Sequence, residues 1–542
     1  MADNKIAYLQ ERMDAMSDLR AVIEITAGEL SAIVEAAQTA LIRANSGIYQ
    51  RGGQLVRIAK IEKDTTHNGV RRSAGSVVIL AVSRDYLPLV LARASDFTRY
   101  DGRTKSMKRI DPPGAISSAL LASAGEWRFP SLAGIVTAPT LRPDATLLDK
   151  PGYDVQSRLF AAFDPADFPA INSMPSRHDA LAALDTLDGL FSECAFVGGD
   201  RSAHASVAIA ASITACVRQA LGIAPAFAYS AFKAGSGKTT AAKVPAQIAL
   251  GLDPPVIAPT DDENELKKAL LAILIAGDSI VLIDNVTKPV DSAALCAVLT
   301  SASYSDRVLG ASAKVTVPTA ATWLLTGNSI EFVGDLTTRV LLSVLDPECE
   351  RPEERSFKRN LTEFIAENRG ALVAAALTIP LAYTAAGSPA MASPRSRFSD
   401  WDRLVRNPLL WLGVADPLVT QADLRENDPE REVLVGVLNS WRDSFGDEPA
   451  TVAQVIDAAN SPGQSANPHL LDAVRAAAGE KNGTINSRRF GRYIKRKARR
   501  IESGLRLEFV GTDSFTCRPQ YRVSSVRSVS SVMANPSKEI AR

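Results

Sequence analysis

The stretch Ala226-Phe-Ala-Tyr-Ser-Ala-Phe-Lys-Ala-Gly-Ser-Gly-Lys-Thr-Thr240 decides how the chain is interpreted. Its first residues are apolar enough for a buried strand, and the Gly-Ser-Gly turn leads into a segment that favours a helix. Glycines let backbone N–H groups close around phosphate oxygens, and the helix N-terminus adds its positive dipole end. The order strand, glycine-rich turn and helix therefore predicts a phosphate-binding loop.

Within this segment, Lys238 would contact the β- and γ-phosphates of a nucleotide, and the Thr239 hydroxyl would hold Mg²⁺. ATP and Mg²⁺ are therefore the expected cofactors. The loop departs from the usual pattern at Phe232, which stands where the first glycine is expected. The alternative is an ordinary glycine and serine turn before a helix. The expected nucleotide contacts are Gly235, Ser236, Gly237, Lys238, Thr239 and Thr240.

The composition argues against several classes of protein. The net charge is only +1 over 542 residues, so no overall basic field indicates nucleic acid, and the local distribution of charge has to carry that question. The 5 cysteines and 4 histidines are scattered, which argues against a metal cluster or a disulfide framework and fits a reducing cytoplasm. The first residues lack the pattern of a signal peptide, and the most apolar stretch, 205–216, is too short to cross a bilayer. We expect a cytoplasmic protein with no membrane partner.

A second apolar segment ending in a carboxylate follows the loop. Ser279-Ile-Val-Leu-Ile-Asp284 would place Asp284 on the neighbouring strand, where it would orient Mg²⁺. The alternative is a buried strand that ends in a capping aspartate. The next residue is Asn285, and an amide cannot act as a general base. Either another acid activates water, or hydrolysis is slow.

The acids that follow the second predicted strand are candidates for this base. Thr260-Asp-Asp-Glu263 has the pattern of a capping box, which explains Glu263 by helix structure. Glu265 remains, and it is the candidate that would face the nucleotide. The alternative for Glu265 is an exposed acid in the first turn of a helix, favoured there by the helix dipole.

Two further polar residues flank the last two predicted strands. Trp323-Leu-Leu-Thr-Gly-Asn328 ends in an amide that would bind the attacking water or the γ-phosphate. Gly334-Asp-Leu-Thr-Thr-Arg339 precedes the last strand, and Arg339 would stabilise transition-state charge in the site of a neighbouring subunit. The alternative for Arg339 is a surface salt bridge. The predicted catalytic set is Lys238, Asp284, Asn328, Arg339 and Glu265.

A segment dense in cations gives the clearest indication of nucleic acid: Ser487-Arg-Arg-Phe-Gly-Arg-Tyr-Ile-Lys-Arg-Lys-Ala-Arg-Arg500. Its apolar residues recur at helical spacing, which leaves the cations free for phosphates. A predicted helix at 468–478 precedes it and a predicted hairpin at 505–523 follows, which is the plan of a winged helix. The alternative is a basic helix that only keeps the domain soluble. The expected DNA contacts here are Arg488, Arg489, Arg492, Lys495, Arg496 and Arg499.

The alternation of strand-like and helical segments predicts βαβ units and a parallel sheet over 200–346. The expected strands are 226–230, 256–259, 279–284, 322–326 and 340–345. We expect a mixed α+β N-terminal accessory domain at 1–199, with a helix at 30–42 and a hairpin at 48–57. After the sheet we expect a mostly helical lid or linker at 347–447 and a winged-helix domain at 448–524. The serine-rich tail at 525–542 is expected to be disordered.

Four segments in this order resemble the AAA+ module of superfamily 3-like helicases from phages, plasmids and integrated elements: AGSGKTT, IVLIDN, DRVLGASAKVTVPTAATWLLTGNS and GDLTTRVLLSVLD. The resemblance implies an α/β fold with a P-loop AAA+ parallel-sheet ATPase core, a ring, expected to be a hexamer, and ATP-driven movement along DNA. It also implies a channel hairpin around Gly310, in which Lys314 and the nearby Arg307 contact phosphates, with a solvent-exposed loop lysine as the alternative. By analogy, Arg403 or Arg406 would reach the nucleotide from the lid.

The function expected from the sequence is that of an ATP-dependent replicative DNA helicase of a mobile element. Such helicases are often fused behind a primase, and because the resemblance begins near the N-terminus, we expect priming to come from a separate protein. One alternative is a DNA-bound AAA+ switch or loader that acts at an origin without processive unwinding, which Asn285 favours. A second alternative is a DNA-binding regulator with a decayed ATPase.

Overall fold

The computed structural model describes residues 20–307, 314–391, 396–461, 467–480 and 483–526. These residues form two compact units. The first lies within Met1–Lys288, Ser292–Ile330 and Arg339–Thr420, and the second within Pro289–Asp291, Glu331–Thr338 and Gln421–Arg542. Most of the tail predicted at 525–542, from residue 527 onward, lies outside the described residues.

The strands of the first unit are mostly short. In chain order they are β1 (Ala21–Glu24), β2 (Ile48–Arg51), β3 (Gln54–Lys60), β4 (Thr65–His67), β5 (Val70–Arg72), β6 (Val77–Ala81), β7 (Ser95–Asp101), β8 (Ser106–Ile110), β9 (Gly134–Val136), β10 (Thr140–Leu141), β11 (Leu147–Leu148), β12 (Gly152–Asp154), β13 (Leu159–Ala161), β14 (Ala226–Ala231), β15 (Val256–Ile257), β16 (Ile280–Val286), β17 (Ser303–Arg307), β18 (Lys314–Pro318), β19 (Thr322–Asn328) and β20 (Val340–Leu345).

The helices of the first unit are α1 (Leu30–Arg43), α2 (Leu87–Ala94), α3 (Gly114–Ala122), α4 (Arg177–Asp188), α5 (Ala203–Val217), α6 (Lys238–Leu250), α7 (Glu263–Ala276), α8 (Ala293–Thr300), α9 (Leu361–Ala385), α10 (Ser399–Trp401) and α11 (Asn407–Trp411), with a π-helical turn at Asp402–Arg406. Helix α12 (Thr420–Glu426) begins at the last residue of this unit.

The centre of the first unit is a sheet of five parallel strands in the spatial order β20, β14, β19, β16 and β15. All five predicted strands are confirmed, although β15 is shorter and β16 and β19 extend further than expected. Every residue of β14 is buried, because helices cover both faces of a parallel sheet and its interior strands become continuous apolar runs. Parallel strands bring their carboxyl ends to one edge, and that edge carries the predicted site residues.

The sheet continues beyond β15 with two antiparallel strands, β5 and β4. They come from the region that the sequence analysis assigns to a separate N-terminal domain. The guanidinium of Arg72 on β5 forms a bidentate, buried ion pair with Asp278, just before β16. Burial raises the pKa of the Asp278 carboxyl, and Arg72 acts in the opposite direction. This pair therefore fixes the added strands to the core sheet.

The remaining N-terminal elements form smaller layers. Helices α1, α2 and α3 share a hydrophobic cluster with Ile23 and Phe97 of the β1-β7-β8 sheet. The predicted helix at 30–42 is confirmed as α1, and the predicted hairpin is confirmed as β2 and β3. Gly52 and Gly53 have φ values of +56° and +77°, which glycine adopts without the steric cost of a side chain.

Helix α9 is long and apolar enough, by length and composition, to cross a membrane, and half of its most apolar window is buried inside the structure. Its buried residues, among them Leu372 and Leu377, belong to the main core cluster. The Arg369 guanidinium donates to the carbonyls of Thr137, Ile248 and Ala249. These contacts tie the helix to the end of α6, as expected for a core helix.

The second unit has its own core. Helices α13 (Pro429–Phe445), α14 (Val452–Asn460), α15 (Pro468–Ala478) and α16 (Ser487–Lys497) pack against a sheet in the order β21 (Ala450–Thr451), β24 (Pro519–Ser525), β23 (Leu505–Thr512) and β22 (Ile501–Glu502). Trp441, Phe490 and Leu507 are fully buried at its centre. The predicted helix at 468–478 and the hairpin after the basic helix are confirmed as secondary structure.

The Arg72 ion pair gives a stability prediction. We expect Arg72→Ala to destabilise the first unit by about 3–5 kcal/mol, because it leaves the Asp278 carboxylate buried without a partner. Arg71 is the matched control on the same strand, since its side chain is 71% exposed and its ion pair with Asp64 is 3.5 Å long at the surface. Arg71→Ala should cost less than about 1 kcal/mol. Urea unfolding followed by circular dichroism checks both, and equal losses would contradict the assignment.

Candidate functional site

The glycine-rich loop connects the carboxyl end of β14 to the first residue of α6. Gly235 and Gly237 have φ values of +75° and +86°, a region that residues with a side chain rarely adopt. Gly237 is also the residue before the first turn of α6, so the unpaired N–H groups of that turn face the loop. The strand, the turn with its two positive-φ glycines (the glycine cradle) and the helix therefore follow one another in the order that the sequence predicts.

One buried group in the loop lacks a partner. The Ser236 side chain is buried, and its hydroxyl has no hydrogen-bond partner among the described residues. A buried polar group without a hydrogen bond costs about 1–3 kcal/mol. A phosphate oxygen in the cradle would satisfy this donor.

The predicted metal-binding pair meets at the same edge of the sheet. The Thr239 hydroxyl lies 3.4 Å from the Asp284 carboxylate. The Thr326 hydroxyl on the intervening strand β19 donates to the same carboxylate oxygen and accepts from the Asn285 N–H at 2.9 Å. The structure thus holds two oxygen-bearing side chains, Thr239 and Asp284, close together, and oxygens of this kind are the ligands that Mg²⁺ prefers.

Lys238 lies at the start of α6, beside this pair. Its partial burial lowers the pKa of the ammonium group, and the Asp284 charge acts in the opposite direction. The two opposing effects are those of a cation held close to a carboxylate in a partly dry site.

Asn285 and Asn328 face the same edge. The pairing of β16 with β19 is irregular between Ile283 and Val286, and Asn285 within this bulge has a φ of +63° and an exposed side chain. Asn328 pairs in register with Ala231, the last residue before the loop, and is also exposed. The structure therefore brings together Lys238, Thr239, Asp284 and Asn328 as predicted, with Asn285 beside them.

Arg339 lies at the opposite end of the sheet. It directly precedes Val340, which pairs with Ala226, whereas the loop begins after Ala231. At about 3.3 Å per residue, roughly 17 Å of strand separates Arg339 from its own loop. Within one chain the structure does not bring Arg339 to the other site residues.

The acids after β15 behave differently from expectation. The capping box from Thr260 to Glu263 is wrong, because Asp262 caps α7 by accepting from Asn264, and Glu263 accepts from the N–H of Ala294 at 2.8 Å. Glu265 is exposed and forms a surface ion pair with Lys268 at 2.6 Å. Neither contact involves the loop.

A cavity of about 480 Å³ opens beside the loop, within the usual size range of small-ligand sites. Its other walls come from distant segments that the sequence analysis did not identify: Leu190, Glu193, Cys194, Phe357, Arg359, Asn360 and Leu361. Burial raises the pKa of the Cys194 thiol to about 11, so this thiol is uncharged at neutral pH, and the charged groups of these walls are Glu193 and Arg359. Local sequence could have indicated Asn360 as the N-cap of α9. It could not have indicated that this cap packs beside the glycine-rich loop.

The arginines expected to reach the nucleotide from the lid have other partners. Arg406 is buried and ion-paired with Asp402 and Asp416, so this expectation is wrong for Arg406. Arg403 donates to the Pro143 carbonyl at 3.0 Å. Both arginines take part in internal contacts of the first unit.

The structure describes the two strands of the hairpin predicted around Gly310. β17 and β18 pair antiparallel, and Arg307 lies directly opposite Lys314. Both side chains are exposed. The turn with Gly310 lies outside the described residues.

The basic helix α16 has the predicted apolar seam. Phe490, Tyr493 and Ile494 are buried together with Lys497, whose ammonium lies 2.7 Å from the Glu430 carboxylate. The predicted DNA-contacting side chains are all exposed: Arg488, Arg489, Arg492, Lys495, Arg496 and Arg499. Two of them have partners within the unit, since Arg496 pairs with Glu430 at 3.2 Å and Arg489 donates to the Gly479 carbonyl.

No protein-family model matches the chain, and no curated protein matches it. Solved structures match it coarsely. The apo C-terminal region of NrS-1 is 12% identical, with 91% of this chain and 99% of that chain covered, at a TM-score of 0.36. The SCCmec type IV Cch active helicase is 10% identical, with 89% and 97% covered, at 0.32. The JCV helicase is 16% identical, with 47% and 74% covered, at 0.20.

The hydroxyl that bridges Asp284 and Asn285 gives a prediction with an internal control. Thr326→Val should destabilise the first unit by about 1–3 kcal/mol, because it leaves the Asn285 N–H without its acceptor. Thr322 lies on the same strand and is equally buried, but its hydroxyl has no partner among the described residues. Thr322→Val should therefore be neutral or stabilising. Thermal unfolding of both variants checks this, and equal effects would refute the bridging role.

Proposed function

We propose that the chain is an ATP-dependent DNA helicase, a ring-forming AAA+ motor of a mobile genetic element or phage. The observation that carries the nucleotide part is the unpartnered Ser236 hydroxyl in a positive-φ glycine cradle, with Thr239 and Asp284 held 3.4 Å apart beside it. A nucleotide phosphate chain and its Mg²⁺ would satisfy all three groups. The cavity next to the loop has the size for the rest of the nucleotide.

In this proposal the loop amides and Ser236 bind the phosphate oxygens, and Lys238 neutralises charge on the terminal phosphates. Thr239 and Asp284 hold Mg²⁺, which when bound polarises the phosphoryl oxygens. Thr326 orients Asp284 through its hydrogen bond. Asn328, at the end of β19, orients the attacking water or the terminal phosphate.

The proton of the attacking water needs an acceptor. Asn285 cannot accept it, and Glu265 is ion-paired with Lys268 at the surface. We therefore expect slow hydrolysis in the isolated chain. Arg339 is too far from its own loop to contribute there, which supports a role in the site of a second copy and with it a homo-oligomer, proposed to be a hexamer.

DNA is the proposed partner of two surfaces. Arg307 and Lys314 on the β17–β18 hairpin would contact phosphates in the ring channel. In the second unit, three helices followed by a hairpin support a winged-helix DNA-binding domain with α16 as its basic recognition helix. We also propose a cytoplasmic location, which the scattered cysteines support, and a separate primase, which the resemblance implies.

The alternative function is a DNA-bound AAA+ switch or loader that binds ATP at an origin without processive unwinding. Asn285 in its bulge favours it, because a site without a general base holds ATP longer than it hydrolyses it. A DNA-binding regulator with a decayed ATPase is less well supported, since the predicted ligands of the nucleotide and metal are held together.

ATP hydrolysis by the purified chain, with and without single-stranded DNA, tests the proposal. We expect turnover that DNA stimulates and that Lys238→Ala reduces by at least about 100-fold, because the terminal phosphates lose their cation. Lys243→Ala is the control, since Lys243 on the same helix pairs with Asp253 away from the loop. Tight ATP binding without turnover would favour the switch, and failure to bind ATP would refute both.

A mixing experiment tests the role of Arg339. Lys238→Ala and Arg339→Ala should each abolish most ATPase activity, whereas a 1:1 mixture should recover about a quarter of the wild-type rate, because intact loops then meet intact arginines across subunits. No recovery in a mixture shown to contain mixed oligomers would contradict the role in trans.

A further inference from the structure

The most exposed large apolar side chain of the described residues is at the tip of the hairpin formed by β23 and β24. Phe515 is 95% exposed. Phenylalanine has no polar atom to hydrate, and burying such a side chain usually contributes to stability. A fully exposed ring at the end of a protruding hairpin therefore points to a use outside the fold of the chain.

The turn that carries Phe515 is held by Asp513. Its carboxylate accepts from the N–H groups of Phe515 and Thr516 and from the Thr516 hydroxyl, at 3.2, 2.7 and 2.7 Å. These bonds lower the pKa of the carboxyl, so it is charged at neutral pH. Backbone bonds from Asp513 to Arg518 and from Cys517 to Asp513 close the turn. The ring is thus presented by an ordered turn.

A basic groove of about 910 Å³ lies beside the hairpin, between α16 and the start of α14. Arg488, Arg492 and Lys495 line it from one face of α16, at positions i, i+4 and i+7, and Arg518 lines it from the hairpin. None of these four cations forms an ion pair with another described residue. Asp457 is the one acidic residue among those lining the groove, so the groove suits a polyanion.

We propose that Phe515 stacks on an unpaired or terminal base at a junction between single- and double-stranded DNA, while the groove holds the adjoining phosphates. The inference rests on the DNA partner of the proposed function and extends it to the form of the DNA. Aromatic rings stack on any base, whatever its identity. Inside a duplex both faces of each base are already stacked, so the ring finds an open base face only where the duplex ends or forks.

The test compares two DNAs with the same number of base pairs, a fork and a covalently closed circular duplex that has no ends. Each DNA competes with a labelled fork for the full chain, and fluorescence anisotropy follows the competition. Wild type should prefer the fork. Phe515→Ala should weaken fork binding by about 5- to 100-fold and leave the closed duplex unchanged, whereas Phe515→Trp should retain the preference. Val510→Ala is the control, since Val510 is an exposed apolar side chain on the same hairpin without a ring.

Arg492→Ala should weaken binding to both DNAs by the same factor and reduce the salt dependence of binding, because it removes a phosphate contact and no base contact. Three results would overturn the stacking role: unchanged fork binding by Phe515→Ala, an equal loss of binding to both DNAs, or full fork preference in Phe515→Leu. None of them would contradict the proposed function, because DNA-stimulated ATP hydrolysis by wild type is measured separately. If wild type bound neither DNA, the DNA part of the proposed function would fail together with this inference.

Discussion

The arrangement of the candidate site depends on β19 lying between β14 and β16. The glycine-rich loop follows β14, and Asp284 ends the apolar part of β16. One strand, β19, lies between them, so a residue of β19 has to connect the two sides of the site. Thr326 of β19 makes this connection, because its hydroxyl donates to the Asp284 carboxylate and accepts from the Asn285 N–H. Gly327 follows, and a Cβ there would lie 2.5 Å from the Val286 carbonyl oxygen. Close approach of the two strands is therefore built into the sequence.

The same parallel geometry places the predicted site residues at opposite ends of the sheet. Residues that follow strands gather at the loop, and the residue that precedes β20, Arg339, lies at the far end. A chain with this arrangement cannot complete its own site with that arginine. In the proposed oligomer, the arginine of a neighbouring copy would reach the site only when the copies are correctly placed.

Much of this arrangement could be predicted because the signals are local. The five strands, the glycine cradle and the apolar seam of α16 follow from periodicity and from the conformational freedom of glycine. The predicted capping box is wrong because Asp262 caps the helix instead, and Glu263 accepts a hydrogen bond from Ala294, 31 positions away. The expectation for Arg406 is wrong because two carboxylates bind its guanidinium. Helical i, i+4 spacing could have indicated Asp402, whereas no local pattern connects Arg406 to Asp416. The walls of the cavity come from segments more than 40 residues upstream or 110 residues downstream of the loop, and single-sequence patterns carry no information on such packing.

The strands β5 and β4 cover one edge of the main sheet, which affects whether another chain can pair with it. Without them β15 would present unpaired N–H and C=O groups, a template on which another chain could add a strand. β5 covers that border, and the new border, β4, is only three residues long and consists of Thr65, Thr66 and His67, all exposed. A short polar border offers little to a foreign strand. By covering this edge with a short polar strand, β5 and β4 leave few groups on which another chain could add a strand.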